Sequence, residues 1–368
     1  MKIQAAVIRE KSGEFHRESL TLDDPRDDEV LVRIEGVGIC HTDLVCRDQY
    51  YPIPFPVVFG HEGSGVVEKV GKSVSKVAPG DHVVLSYLNC GKCNPCREGK
   101  LGYCHDLFAR NFGCTRADGS TTLRSGSESI HGNFFSQSSF ATHALAAEQN
   151  TVKVSKDVPI ESLGPLGCGI QTGAGAVLNA LNPRAGSSIA IFGCGSVGLA
   201  AVMAAYVAGC GRIFAIDTNE ERLELARQFG ATDVVNPTRG NPVEAIRAAT
   251  GSGVLYSLEC TGRPEVTRQA VDCLTLTGIC GQIGVAPLGT EVAIDINTIM
   301  FGRTLRGIIE GDSVPDIFIP RLVELNRQGR FPFDKLITYY AFDQINQAVR
   351  DTEAGKVVKA VLKPRETA

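Results

Sequence analysis

SSIAIFGCGSVGLAAVMAAYVAGC, residues 187–210, carries no charged side chain, and the uncharged run extends from 185 to 211. In length and apolarity it would suffice to cross a bilayer. Its glycines give a different reading: Ile189 to Phe192 is a buried strand, Gly193 to Gly198 a tight turn, and Val197 to Ala208 a buried helix. A parallel sheet presents itself in this way, because its strands are covered on both faces. Gly193, Gly195 and Gly198 fit G-x-G-x-x-G, a weak pattern by itself in a chain with 40 glycines. Here it follows a strand, opens a helix and precedes a second strand, RIFAID, whose last residue, Asp217, lies 19 positions beyond Gly198 (217 minus 198). Such a turn brings backbone N–H groups to a pyrophosphate at a helix N-terminus. A carboxylate at Asp217 would accept hydrogen bonds from both adenosine ribose hydroxyls and repel a 2′-phosphate, so NAD is expected rather than NADP.

Outward from this unit the pattern divides the chain. Toward the C-terminus strand and helix alternate: RIFAID then NEERLELARQFG, DVVN then PVEAIRAAT, VLYSLEC then PEVTRQAVDCL, and GICGQIGV. That rhythm predicts a parallel sheet with right-handed crossovers. Toward the N-terminus IQAAVIRE, EVLVRIEGVGI, EGSGVVEKVG and DHVVLS read as short strands separated by Pro and Gly, an irregular and mostly β domain. After about residue 310, IPRLVELNRQ and DQINQAVRDTEAG read as helices and KVVKAVLKP as a last strand. The expected fold class is therefore α/β: a Rossmann cofactor domain over 172–310, a mostly β catalytic domain over 1–171, and a segment 311–368 returning to the latter.

The run NCGKCNPCREGKLGYC places Cys90, Cys93, Cys96 and Cys104 at a spacing that one folded-back loop can wrap around a single ion. Four thiolates with no water position suit a closed, structural zinc site, in a lobe spanning 89–105. An iron–sulfur cluster also takes four thiolates. A nucleic-acid-binding zinc ribbon is opposed by a net charge of −4 and a pI near 6.0, which offer no basic footprint for phosphates. The odd count of 13 cysteines and the opening MKIQAAVIRE, without a basic and apolar leader, predict a reduced cytoplasmic protein with neither a disulfide framework nor a membrane span. Cys40, His61 and Cys168, in GVGICHTD, VFGHEGSG and GPLGCGIQTG, are three candidate ligands from three loops. An open zinc site needs such a set, with the fourth position left for substrate.

In order along the chain, GHEGSGVVEKVG around His61, the four-cysteine lobe, GCGIQTG around Cys168 and GCGSVG are together highly specific. The chain resembles the zinc-dependent alcohol dehydrogenases of the medium-chain dehydrogenase superfamily from about residue 3 to about residue 362. The resemblance implies a GroES-like catalytic domain and two zinc ions per chain: a catalytic one on Cys40, His61 and Cys168, and a structural one on Cys90, Cys93, Cys96 and Cys104. It places Glu62 beside the catalytic zinc, Asp43 on His61, and Thr42 as the hydroxyl that takes the substrate proton. It assigns His41 and Lys359 to the cofactor diphosphate, Arg222 to the adenosine ribose, and Thr172 and Val197 to the neighbourhood of the nicotinamide, beside Gly193, Gly195, Gly198 and Asp217. Relatives are homodimers or homotetramers. One position departs from the pattern: many relatives carry a histidine five residues after the first zinc cysteine, completing a proton relay, and this chain has Val45.

YYPIPFPVVFGHEGSG and GCTRADGSTTLRSGSESIHGNFFSQSSFATH are most similar to the bacterial aryl-alcohol (benzyl-alcohol) dehydrogenases. A primary aromatic alcohol is the substrate this implies. The rival branch is the glutathione-dependent formaldehyde dehydrogenases, which hold the glutathione carboxylate with an arginine where this chain has Phe108, with Arg110 close by. Polyol dehydrogenases commonly replace the third zinc cysteine by a carboxylate, unlike Cys168. A non-enzymatic cofactor-binding protein of the zinc-free branches would lack both cysteine sets.

Overall fold

A computed structural model describes residues 1–365. It divides into two compact units, one of Met1–Cys168, Val314–Arg327 and the chain from Asp334 on, the other of Gly169–Ser313 and Gln328–Phe333. Breaks were expected after residues 171 and 310; the structure puts them at Cys168/Gly169 and Ser313/Val314. The first break moves because Gly169 already starts the helix Gly169–Gly175 of the second unit.

The second unit is a six-stranded parallel sheet in the order Asp233–Val235, Arg212–Ile216, Ser188–Phe192, Val254–Glu259, Leu274–Gln282, Thr304–Gly307. Ser188–Phe192 is central, which is why its residues are apolar without alternation. Ala190 and Phe192 join Phe214, Ile216, Val243, Ile246 and Ala270 in one core. Ile189 and Ile191 point to the opposite face and are equally buried. The helix Ser196–Val207 lies over Ile191, and a Cβ on Gly198 would collide with the Gly193 carbonyl. Gly193 itself has φ +93°, which favours glycine. Two strands escaped the sequence reading in whole or part. Thr304–Gly307, a largely exposed edge strand, carries no apolar run, and Leu274–Gln282 begins before the GICGQIGV motif. Strand, turn and helix together use up the apolar run 187–210. Among the described residues no helix is long and apolar enough to cross a membrane.

The first unit holds two sheets. The larger runs Thr151–Val154, His82–Leu85, Gly63–Val70, Glu29–Gly38, Lys359–Lys363, Ile337–Ala341, with His143–Ala147 also pairing Glu29–Gly38. Lys359–Lys363 lies antiparallel against Val37 and Gly38, which brings Lys359 and Ala360 against Ile39, next to Cys40. The smaller sheet is built on Lys2–Ile8 and His16–Leu22. Val30, Val32 and Ile34 alternate inward from Glu29–Gly38 and are fully buried in a core shared with Phe59, Phe134 and Phe140. This strand ends two residues before the site begins at Cys40 and the short helix His41–Arg47.

Candidate metal centres and cofactor cleft

The four sulfurs of Cys90, Cys93, Cys96 and Cys104 all lie within 4.8 Å of one another. Two pairs, Cys90–Cys96 and Cys93–Cys104, are 4.0 Å apart. A tetrahedron of Zn–S bonds of about 2.3 Å has edges of about 3.8 Å, so the spacing fits one ion and is too long for disulfides. Backbone donors point at the sulfurs: Cys93 N–H to Cys90 Sγ at 3.3 Å, and Cys90 N–H to Cys104 Sγ at 3.2 Å. The N–H groups of Lys92 and Cys93 hold the Cys90 thiol down to about 6, favouring the thiolate that a metal binds. Cys96→Ala is therefore expected to lower the melting temperature by about 5 °C or more, because metal affinity at a closed site adds to folding free energy. Calorimetry with zinc analysis checks this; an unchanged melting temperature after loss of that zinc would contradict it.

Cys40, His61, Glu62 and Cys168 form the second cluster, their ligand atoms again within 4.8 Å. Cys40 caps the helix His41–Arg47, His61 precedes the strand Gly63–Val70, and Cys168 follows the turn Gly164–Gly167. Fully buried Asp43 organises the cluster. Its Oδ1 accepts His61 Nδ1–H at 2.9 Å and Gly60 N–H at 3.1 Å, and its Oδ2 accepts Cys40 N–H at 3.0 Å. The imidazole is thereby fixed with Nε2 toward the cysteines, and that atom is buried with no hydrogen-bond partner. An orphaned buried nitrogen among sulfurs fits a metal. The Cys40 thiol is held well below its ordinary value, chiefly by the hydrogen bond with Cys168 and further by His61, against the effect of burial. Two thiolates and a neutral imidazole would balance the charge of a divalent ion.

Glu62 sits in the cluster and is paired with Lys359. The ammonium lies 2.9 and 3.0 Å from the two carboxylate oxygens and 3.2 Å from the Ile39 carbonyl. Lys359 is 2% exposed, so it is no surface lysine; a diphosphate contact would require it to release part of this set. A Cβ on Gly38 would collide with Glu62 Oε2, so only glycine leaves room for the pair. The Thr42 hydroxyl lies 3.8 Å from Cys40 Sγ. His41 is exposed, and Val45 is 2% exposed on the same helix, offering no proton path of its own.

In the second unit an open cleft is lined by Gly193, Asp217, Thr218, Thr261, Arg263 and neighbouring residues. Asp217 accepts Cys194 N–H at 2.7 Å and Asn219 N–H at 2.8 Å, bracing the glycine turn while leaving lone pairs toward the cleft. A Cβ on Gly195 would meet nothing within 4 Å, which is the open approach a pyrophosphate needs. Arg263, missed in the sequence, lines this cleft; Arg222 does not, and its Nε is buried without a partner. The loop Thr261–Arg263 is anchored by fully buried Glu259, which accepts N–H groups of Thr261 at 2.6 Å and Gly262 at 3.0 Å. Only the CTGRPE turn after a strand could have signalled it. Thr172 is buried, 3.4 Å from Glu310 Oε2, and Val197 is half-buried in the first turn of the helix Ser196–Val207.

Residues 26–156 match the family model of the alcohol dehydrogenase GroES-like domain and residues 196–325 that of the zinc-binding dehydrogenases. Over 362 residues the chain is 48% identical to a geraniol dehydrogenase of Castellaniella defragrans, covering 98% of this chain and 97% of that one. The chain belongs to the zinc-dependent alcohol dehydrogenases. Among solved structures, the benzyl alcohol dehydrogenase of Acinetobacter calcoaceticus superposes with a TM-score of 0.97 at 49% identity, covering 99% and 100% of the two chains. A zinc-binding-domain alcohol dehydrogenase protein from Burkholderia ambifaria gives 0.98 at 52% identity, with both chains fully covered. In this alcohol dehydrogenase the medium-chain architecture thus accounts for the mixture of a parallel sheet with a mostly β unit.

Proposed function

We propose that this alcohol dehydrogenase oxidises a primary alcohol bearing an unsaturated, preferably aromatic, apolar group to the aldehyde, reversibly, with zinc on Cys40, His61 and Cys168 and NAD as oxidant. The observation that carries the substrate class is an aromatic wall built on the ligand histidine. Phe135 stacks on His61 with centroids 4.5 Å apart at 29°, and Phe134 meets the same ring edge-on at 5.5 Å. Phe112 packs on Phe135 at 5.1 Å, Phe108 stacks on Phe112 at 4.5 Å, and Tyr51 lies edge-on to both Phe108 and Phe112 at 5.5 and 5.7 Å. Rings prefer offset-stacked and edge-to-face partners, so an aromatic or alkenyl substituent finds there the contacts that water or a methyl group cannot make. The named substrates of two relatives, geraniol and benzyl alcohol, share a carbinol attached to an unsaturated carbon, which supports the same class.

When bound, zinc supplies Lewis acidity toward the alcohol oxygen and the nicotinamide accepts the hydride. The chain's own residues do the rest. Asp43 fixes His61 Nε2, the Thr42 hydroxyl at the edge of the cluster takes the alcohol proton, and Phe134 and Phe135 exclude water beside the imidazole. Asp217 and the glycine turn hold the adenosine half of the cofactor, with Arg263 at the cleft.

The glutathione-dependent reading needs a cation on the outer part of the site. Phe108 stands there, 54% exposed, and the Arg110 guanidinium lies 3.7 Å from Asp106 on its own helix. Phe108→Arg is expected to lower kcat/KM for benzyl alcohol about tenfold, the value of a lost ring contact plus apolar area, and to introduce measurable turnover of S-hydroxymethylglutathione. Steady-state kinetics on both substrates tests this; an unaltered enzyme that already prefers S-hydroxymethylglutathione would overturn the substrate class.

A further inference from the structure

Gln137 is buried, takes no part in the chemistry above, and has its whole hydrogen-bonding capacity engaged around the catalytic ligands. Its Nε2 donates to the His61 carbonyl at 2.9 Å and to the Ser86 carbonyl at 3.3 Å. Its Oε1 accepts Gly63 N–H at 3.1 Å and the Ser139 hydroxyl. Carbonyls on one side and an N–H on the other fix which end is nitrogen. Ser86 follows the strand His82–Leu85 and donates its hydroxyl to the Gly167 carbonyl at 2.7 Å, the peptide directly before Cys168. Two side chains thus connect the backbone of His61 to the backbone of Cys168, ligands 107 positions apart (168 minus 61). The segment that delivers Gln137 is strained: Asn133, Phe135, Ser136 and Ser138 have φ of 60°, 51°, 53° and 52°. Asn150 pins it, donating to the carbonyls of Phe135 at 3.1 Å and Ser86 at 3.0 Å. Strain of this kind persists where the surroundings over-determine it, commonly at functional sites.

We propose that the Gln137–Ser86 chain is a positioning device that sets the distance between His61 and Cys168 and so presets the catalytic metal's coordination; this rests on the assignment of those residues to a metal. Gln137→Met removes both ends of the amide, Ser86→Ala cuts the far link, and Ser86→Thr keeps the hydroxyl. In the zinc-loaded enzyme, Gln137→Met and Ser86→Ala are expected to keep the four-cysteine zinc and to release the other zinc to a chromogenic chelator about tenfold faster or more, the usual range for outer-shell partners. The visible absorption bands of enzyme carrying Co2+ at that site should shift in the same two variants, and Ser86→Thr should restore both readouts. Lower thermal stability with wild-type release rate and wild-type cobalt bands would overturn the proposal, since the bonds would then serve the fold alone. If Gln137→Met does not fold, Ser86→Ala decides by the same two readouts. Wild-type protein that holds only one zinc per chain by elemental analysis would overturn the metal assignment and the proposal with it, and this is read before any variant is made.

Discussion

Cys40→Ala is expected to lower kcat/KM for benzyl alcohol by about three orders of magnitude or more, roughly 4 kcal/mol of transition-state stabilisation, while the chain still folds. The loss is large because Cys40 is one of three ligands on separate loops, and an open site with two cannot hold its ion in place. Folding survives because Cys40 is half-buried at a helix start, outside the main core of the first unit, and the four-cysteine site is a separate set of residues. The bond from Cys40 N–H to Asp43 is a backbone bond and remains. Elemental analysis should fall from two zinc ions per chain to one, with circular dichroism unchanged. Full activity with one zinc, or loss of both metals together, would refute the division into a catalytic and a structural ion.

The unaltered enzyme is expected to prefer NAD over NADP by about 100-fold or more, since a 2′-phosphate would sit against the Asp217 carboxylate, while Arg263 on the same cleft is already paired with Glu265 at 2.7 Å. Asp217→Gly should reduce that preference to about tenfold or less. NAD itself should bind more weakly in the variant, because Asp217 also accepts Cys194 N–H and Asn219 N–H and its removal leaves two donors of the turn unpaired. The two effects separate in kcat/KM measured with each cofactor: one falls and the other rises. Comparable values for NAD and NADP in the unaltered enzyme would contradict the role of Asp217.

What could be read in the sequence was what is local. The uncharged run 185–211, the glycines at 193, 195 and 198, and Asp217 belong to one strand-turn-helix-strand unit, so spacing alone carried both the parallel sheet and the cofactor reading. The sulfurs of Cys90, Cys93, Cys96 and Cys104 come together within a single loop for the same reason. Cys40, His61 and Cys168 stood out as candidate ligands in three separate loops, but only the resemblance joined them into one site, because nothing local shows that the three loops converge. Lys359 and Glu62 are 297 positions apart, and no pattern in either segment reveals that the lysine is buried on that carboxylate. Arg263, Glu259, Gln137 and the Phe108–Phe112–Phe135 wall were missed because polar or aromatic residues without periodicity acquire their meaning only when sheets and loops are assembled. The edge strand Thr304–Gly307 lacked the buried apolar run by which the central strands declare themselves.

The measurement that bears most directly on the account is kcat/KM for zinc-replete enzyme with NAD, compared between benzyl alcohol, ethanol and S-hydroxymethylglutathione. The aromatic wall on His61 predicts the highest value for benzyl alcohol, about 100-fold above ethanol from the apolar area and ring contacts a methyl group lacks. Turnover confined to S-hydroxymethylglutathione, or no NAD-dependent oxidation of any of the three by protein holding two zinc ions, would contradict it.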